Sequence, residues 1–184
     1  MARIYMVRHG KAEAGFGEGM DPGLDALGRS QADAVAQKLK AKGPLPILSS
    51  PLRRTQETAV PLATLWQRRP VIEAAVAEIP SPKGMTLEER SQWLRRLMVG
   101  SWRAVPPDLA EWREACIATV AGIAADSVIF SHYVAINVIA GAASGDDRVV
   151  NFSPDNCSIT IFETNGAKLS LLEKGSEAPL TKVN

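Results

Sequence analysis

The chain has two histidines, and each ends an apolar run: His9, in Arg8-His9-Gly10, after Ile4-Tyr5-Met6-Val7, and His132 after Val128-Ile129-Phe130-Ser131. Neutral imidazole is abundant near pH 7 and attacks phosphorus without first losing a proton to a neighbour. A histidine so placed suits capture of a phosphoryl group, and Gly10 lets the backbone approach a ligand closely. A third segment, Ser49-Ser50-Pro51-Leu52-Arg53-Arg54, follows the short run Leu45-Pro46-Ile47-Leu48 and adds guanidinium groups to Arg8. Their planar forks donate bidentate hydrogen bonds to phosphate oxygens and stay charged throughout turnover. Phosphoryl transfer spreads negative charge over the equatorial oxygens, which positioned cations stabilise. An alkoxide departs poorly, so a carboxylic acid near the pocket is also expected, to protonate it and later to activate water.

For these residues to meet, the runs before them must be neighbouring strands that share one carboxyl-terminal edge, the place where open α/β sheets bind ligands. Residues 3–8 read as a buried parallel strand, because apolar residues run almost without interruption. Gly15, Gly17, Gly19, Pro22 and Gly23 make a loop. Asp25 then caps a helix over 26–42, with Leu27, Ala34, Val35 and Leu39 near one face and Gly43-Pro44 as its stop. A strand over 45–49 and a helix over 52–65, with Pro61 bending it or shifting its boundary, come next. Residues 71–75 read as a third strand and 78–84 as a loop. Thr86 and Glu89 have capping-box spacing for a helix over 87–99. Residues 100–107 break it, Asp108 caps a helix through 124, a strand over 127–130 delivers His132, and 133–143 is a helix. Two closing strands, 158–163 and 168–173, flank the hairpin signal Asn165-Gly166. This alternation predicts a three-layer α/β/α sandwich with a mostly parallel central sheet and an antiparallel edge.

A chain of 184 residues, 46% hydrophobic, is sized for one domain over 1–184, in which residues 80–107 are the least regular part and a candidate lid or cap. Trp93 and Trp102 lie there, and packing a helix onto the body is their commoner use. With 21 Lys and Arg against 20 Asp and Glu, a net charge of +1 supplies no global field for nucleic acid or an anionic membrane. Cys116 and Cys157 form neither a disulfide framework nor a zinc motif. Two histidines without a carboxylate cluster are too few for a metal hydrolase, so no metal or organic cofactor is expected. The N-terminus lacks a secretory pattern and no stretch has the length of a membrane span, which together suggest a cytoplasmic protein.

In order along the chain, Arg8-His9-Gly10, then Leu24, Gly28 and Gln31-Ala32, then Ser50-Pro51-Leu52-Arg53-Arg54 with Thr58-Ala59, then Ser131-His132 and Asn156-Cys157-Ser158-Ile159-Thr160, resemble the phosphoglycerate-mutase-like group of the histidine phosphatase superfamily. The resemblance implies that His9 is the phosphorylated nucleophile and that Arg8, Arg54 and His132 are phosphate ligands, with Arg53 pointing elsewhere. It implies that Glu78 is the proton donor, with Glu73 and Glu88 as competitors, because the Gly-x-x-Glu-Gly context that often follows that glutamate is absent. Gly10, Lys11, Ser50 and Tyr133 are candidate substrate contacts. The chain departs from the family in Lys11-Ala12-Glu13-Ala14, where a threonine and an asparagine commonly contact ligand. It departs again at Tyr133, where glycine commonly follows the second histidine and where the ring has to find a place.

The expected activity is hydrolysis of a phosphomonoester through phosphohistidine at His9, on a small phosphorylated substrate or a phosphoprotein, by a monomer or homodimer. A phosphoglycerate-mutase-type transferase is the enzymatic alternative, and Lys11 is the one obvious extra cation near the loop that would serve it. A regulatory module that docks phosphorylated ligands without turnover is the other.

Overall fold

The computed structural model describes residues 1–14 and 21–178, so Gly15, Gly17 and Gly19 of the expected loop lie outside the described residues. Its elements are β1 (Ala2–Arg8), α1 (Ala26–Leu39), β2 (Ile47–Ser49), α2 (Arg53–Trp66), β3 (Val71–Ile72), α3 (Leu87–Met98), α4 (Pro107–Ala121), β4 (Ser127–Ser131), α5 (Tyr133–Ser144), β5 (Ile159–Thr164) and β6 (Leu169–Glu173). The strands form one sheet in the order β3-β2-β4-β1-β5-β6. The first four in that order are mutually parallel, and β5 and β6 are antiparallel additions. Successive β1 side chains supply both faces. Ile4 and Met6 join α4 and α5 residues in one apolar cluster, and Tyr5 and Val7 join α1 and α2 residues in the other. This is the expected α/β/α sandwich.

Register is what matters for the site. In the β1–β4 ladder Arg8 stands opposite Ser131, and Ser49 of β2 stands opposite Phe130. His9 and His132 therefore leave the sheet at one level, and Ser50, level with Ser131, leaves it one residue earlier. The His9 N–H donates to the Ser131 carbonyl at 3.0 Å, and the Ser50 N–H donates to the Phe130 carbonyl at 3.1 Å.

Several elements differ in detail from their sequence patterns. The buried face of α1 is Gly28, Ala32, Val35, Ala36 and Leu39, while Leu27 and Ala34, expected near that face, are exposed. Gly28 sets the rotation: a Cβ there would lie 2.1 Å from the Lys11 carbonyl oxygen, so only glycine lets the helix seat against the segment after His9. Strand β3 stops after two exposed residues, because the Glu73 carboxylate accepts the Ala75 N–H and turns the chain into a single 3₁₀ turn at 74–76. Helix α4 starts at Pro107 with Pro106, not Asp108, at the N-cap, and it ends at Ala121. Proline at the first helical position gives up an N–H that has no helical partner, and Asp108 sits in the first turn, where its charge favours the helix dipole. Helix α2 runs from Arg53 to Trp66 across Pro61.

The Thr86–Glu89 capping box forms at the start of α3, and Asn165-Gly166 turns the β5–β6 hairpin with Gly166 at φ 93°. Trp102 is buried in the core and Trp93 packs partly buried against it. Among the described residues, no helix is long and apolar enough to cross a membrane.

Candidate active site

The sheet register leaves the two imidazoles with ring centroids 5.2 Å apart and planes tilted by 59°. Arg54, in the first turn of α2, reaches both. Its Nε donates to His9 Nε2 at 3.2 Å and its Nη2 lies 3.2 Å from His132 Nδ1. A guanidinium has donors only, so both ring nitrogens act as acceptors, which assigns both tautomers. The His9 proton is then on Nδ1, donated to the Gly10 carbonyl at 2.7 Å, and Nε2 keeps its lone pair. The His132 proton is on Nε2, donated to Ser50 Oγ at 2.8 Å, and that hydroxyl oxygen also accepts the Leu52 N–H.

Backbone ties hold His9 in place. Asn156 Nδ2 donates to the His9 carbonyl at 2.9 Å. The Gly10 N–H donates to Thr58 Oγ1 at 3.0 Å, and the Thr58 hydroxyl donates to the Arg54 carbonyl at 2.6 Å. Thr58 stands one helical turn after Arg54, so one hydroxyl couples the strand-end glycine to the turn of α2 that carries the guanidinium. A Cβ on Gly10 would lie 2.6 Å from the Gly28 carbonyl oxygen. The sequence showed Thr58 and Asn156 as motif members; the i, i+4 spacing from Arg54 is a signal for the first, and none marks the second.

Arg8 is 2% exposed. Its Nη1 donates to the Pro154 carbonyl at 2.9 Å, and its guanidinium carbon lies 5.2 Å from the Tyr133 ring centroid. The Tyr133 ring thus finds its place against Arg8, and its hydroxyl pairs with Ser153 Oγ at 2.8 Å. Lys11 pairs with Asp25 at 2.9 Å, and Arg53 turns outward to Glu57 at 2.7 Å.

The three candidate acids separate cleanly. Glu73 is the cap of the 3₁₀ turn, and Glu88 sits on the exposed first turn of α3, where it accepts from Gln92. Glu78 alone faces the cations. Its Oε1 accepts the Ile79 N–H at 3.1 Å and the Val134 N–H at 3.2 Å, which places the carboxyl at the N-terminus of α5 immediately behind His132.

Burial dominates the electrostatics. It pushes both histidines well below the usual imidazole range, and the nearby Arg54 and Arg8 charges push the same way, so both rings are neutral at pH 7. Burial raises Glu78 above the ordinary carboxylate value. The two N–H donors and the Arg54 and Arg8 charges offset part of that rise. Arg8 and Arg54 are themselves lowered by burial. The two buried guanidinium groups lie beside the two imidazoles, with Asp21 4.0 Å from Arg54 and the Glu78 carboxyl close enough to act on both arginines. Among the described residues, no group of three His, Cys, Asp or Glu side chains is placed to hold a metal ion.

The fold and site together are an α/β sheet that presents paired imidazoles and guanidinium groups at the carboxyl ends of its parallel strands. The chain belongs to the histidine phosphatase superfamily (branch 1), whose profile matches residues 4–176. It is 47% identical over 64 residues to a glucosyl-3-phosphoglycerate phosphatase of Mycolicibacterium vanbaalenii, covering 33% of this chain and 28% of that one. It is 30% identical over 118 residues to phosphoserine phosphatase 1 of Hydrogenobacter thermophilus, covering 62% of this chain and 52% of that one. The matched stretch thus spans about a quarter of the first curated relative's length and about half of the second's. The structure of a phosphoserine phosphatase from Entamoeba histolytica, in complex with 3-phosphoglyceric acid, superimposes with a TM-score of 0.76 over 96% of this chain and 98% of that one, at 22% identity, and so shares the fold.

Proposed function

We propose that the protein hydrolyses phosphomonoesters through a phosphohistidine formed on His9. The observation that carries this reading is the state of His9: a buried, neutral ring whose Nδ1 proton is committed to the Gly10 carbonyl and whose Nε2 lone pair faces Arg54 and the second imidazole. An arriving phosphoryl group takes over the Arg54 contacts, with Arg8, Arg54 and the N-terminal end of α5 around its oxygens. His9 Nε2 then bonds to phosphorus as the ester P–O bond breaks, and Glu78, whose proton affinity burial raises above the ordinary carboxylate value, delivers a proton to the leaving oxygen. The Glu78 carboxylate next takes a proton from water, the water oxygen attacks phosphorus, and the P–N bond breaks. Inorganic phosphate leaves, and both His9 and Glu78 return to their starting states.

The substrate class that fits is a small phosphorylated metabolite or a phosphoprotein side chain, in keeping with relatives named for glucosyl-3-phosphoglycerate and phosphoserine. The test is to quench the enzyme during turnover of a ³²P-labelled monoester and to assay acid-labile, alkali-stable label on the protein. Label on wild type and none on His9→Ala is expected. Turnover without label at His9 refutes the mechanism. Phosphate binding without turnover across a broad ester panel points to the docking module instead, and transfer to a second hydroxyl rather than to water points to the mutase.

A further inference from the structure

A buried arginine on a flexible side chain binds phosphate bidentately only if its plane is already set, because ordering it costs on the order of 2 kcal/mol of rotamer freedom. Two contacts set the plane of Arg8. The Pro154 carbonyl accepts from Nη1 at 2.9 Å, and the guanidinium carbon lies over the Tyr133 ring, 5.2 Å from its centroid. Tyr133 is in turn fixed at both ends. Its backbone begins α5 directly after His132, and its hydroxyl is held by Ser153 Oγ at 2.8 Å.

The segment that supplies Ser153 and Pro154 is tied to that same turn of α5 by one buried amide. Asn137, fully buried, donates through Nδ2 to the Tyr133 carbonyl at 3.0 Å, and its Oδ1 accepts the N–H groups of Asn151 at 2.7 Å and Phe152 at 3.1 Å. Beyond Pro154, the Cys157 N–H donates to the Arg8 carbonyl at 2.9 Å, and Asn156 holds the His9 carbonyl. Hydrogen bonds thus join the 151–157 segment to Arg8 and to Tyr133, and the cation–ring contact between Arg8 and Tyr133 closes the unit. Resting on the reading of Arg8 as a phosphate ligand, we infer that Tyr133 is a positioning residue: its ring holds the Arg8 guanidinium in the plane that receives a phosphoryl oxygen, and Ser153 and Asn137 hold the ring.

The test measures inhibition by inorganic phosphate and kcat/KM for p-nitrophenyl phosphate in Tyr133→Leu and Tyr133→Phe, each alone and combined with Arg8→Met. Tyr133→Leu removes the aromatic face and is expected to weaken phosphate binding about 3- to 30-fold, the range of a desolvated cation–π contact. Tyr133→Phe keeps the face and loses only the Ser153 tether, so its loss is expected to fall between wild type and Tyr133→Leu. In the Arg8→Met background, Tyr133→Leu adds less than about 2-fold, because the group it acts through is gone.

An undiminished effect of Tyr133→Leu in that background overturns the inference, since the ring then serves the pocket by packing alone. If Arg8→Met by itself leaves phosphate inhibition unchanged, it is the assignment of Arg8 as a ligand that fails. A measurement free of any folding defect comes from arginine side-chain NMR of the wild type. A slowly rotating, ring-shifted Arg8 guanidinium is expected, and a freely rotating one overturns the inference.

Discussion

Replacing Glu78 by glutamine separates proton donation from every other service of that side chain. Glu78 Oε1 accepts both the Ile79 and the Val134 N–H groups, and the carbonyl oxygen of glutamine accepts the same pair, so the loop and the start of α5 stay in place. What disappears is the proton. A positioned general acid is worth about 10²- to 10⁴-fold, or about 2.7 to 5.4 kcal/mol of barrier, when the leaving oxygen is a poor one. An alkyl phosphate needs that help, whereas p-nitrophenolate departs without it. The assay is kcat/KM for both substrates across pH, because kcat/KM reports formation of the phosphoenzyme and excludes the later attack of water. Glu78→Gln is expected to lose about 100- to 10,000-fold on the alkyl ester and less than about 10-fold on the aryl ester. Because burial raises Glu78, wild-type activity on the alkyl ester falls as pH rises through that raised value. The variant lacks that alkaline limb. Equal losses on both substrates, or an alkaline limb that survives the substitution, would refute the reasoning, and the search would return to Glu73 and Glu88.

Arg54→Ala removes the donor that reaches both imidazoles, and steady-state kinetics should show kcat/KM lowered by about 100- to 1,000-fold, the typical cost of one preorganised donor at a developing oxyanion. A loss under 10-fold would mean that Arg8 alone carries the phosphoryl charge. Chemical denaturation across pH reads the buried histidines. Their folded values lie below the unfolded one, so the stability they contribute is present above about pH 6.5 and is lost as pH falls toward the folded values. Each contributes a slope of about 1.4 kcal/mol per pH unit within that window. Glu78 acts with the opposite sign, since its contribution is present below the unfolded carboxylate value and is lost as pH rises through its raised folded one. His132→Asn should flatten the histidine limb, and an unchanged slope would place the titration elsewhere. Gly28→Ala brings a Cβ to within 2.1 Å of the Lys11 carbonyl oxygen, so thermal unfolding should show a clear loss of stability, whereas the same change at solvent-open Gly166 should cost only its positive φ.

Much of this architecture is written locally. Uninterrupted apolar runs mark β1 and β4, the capping box marks α3, and Asn165-Gly166 marks the closing hairpin, because each depends on residues within a few positions of one another. Arg8-His9-Gly10 and His132 were legible as candidate site residues because each stands where an apolar run stops, and Arg54 was legible through the family resemblance. Three features were not legible. The rotation of α1 follows from the Gly28–Lys11 approach and leaves Leu27 outside. That Glu78, the acid the resemblance implies, meets the α5 N-terminus while Glu73 caps a 3₁₀ turn and Glu88 stays exposed follows from tertiary packing. The destination of the Tyr133 ring follows from where residues 153–154 come to lie.

Pattern and propensity thus determined which elements exist and which of them end in a histidine or an arginine. Only the tertiary structure decided that Arg8 pairs with Ser131, so that two distant imidazoles emerge 5.2 Å apart beneath one guanidinium. The reason is that a strand's side-chain period is set by its own sequence, whereas its register is set by hydrogen bonds to other strands and by a core that every helix must share.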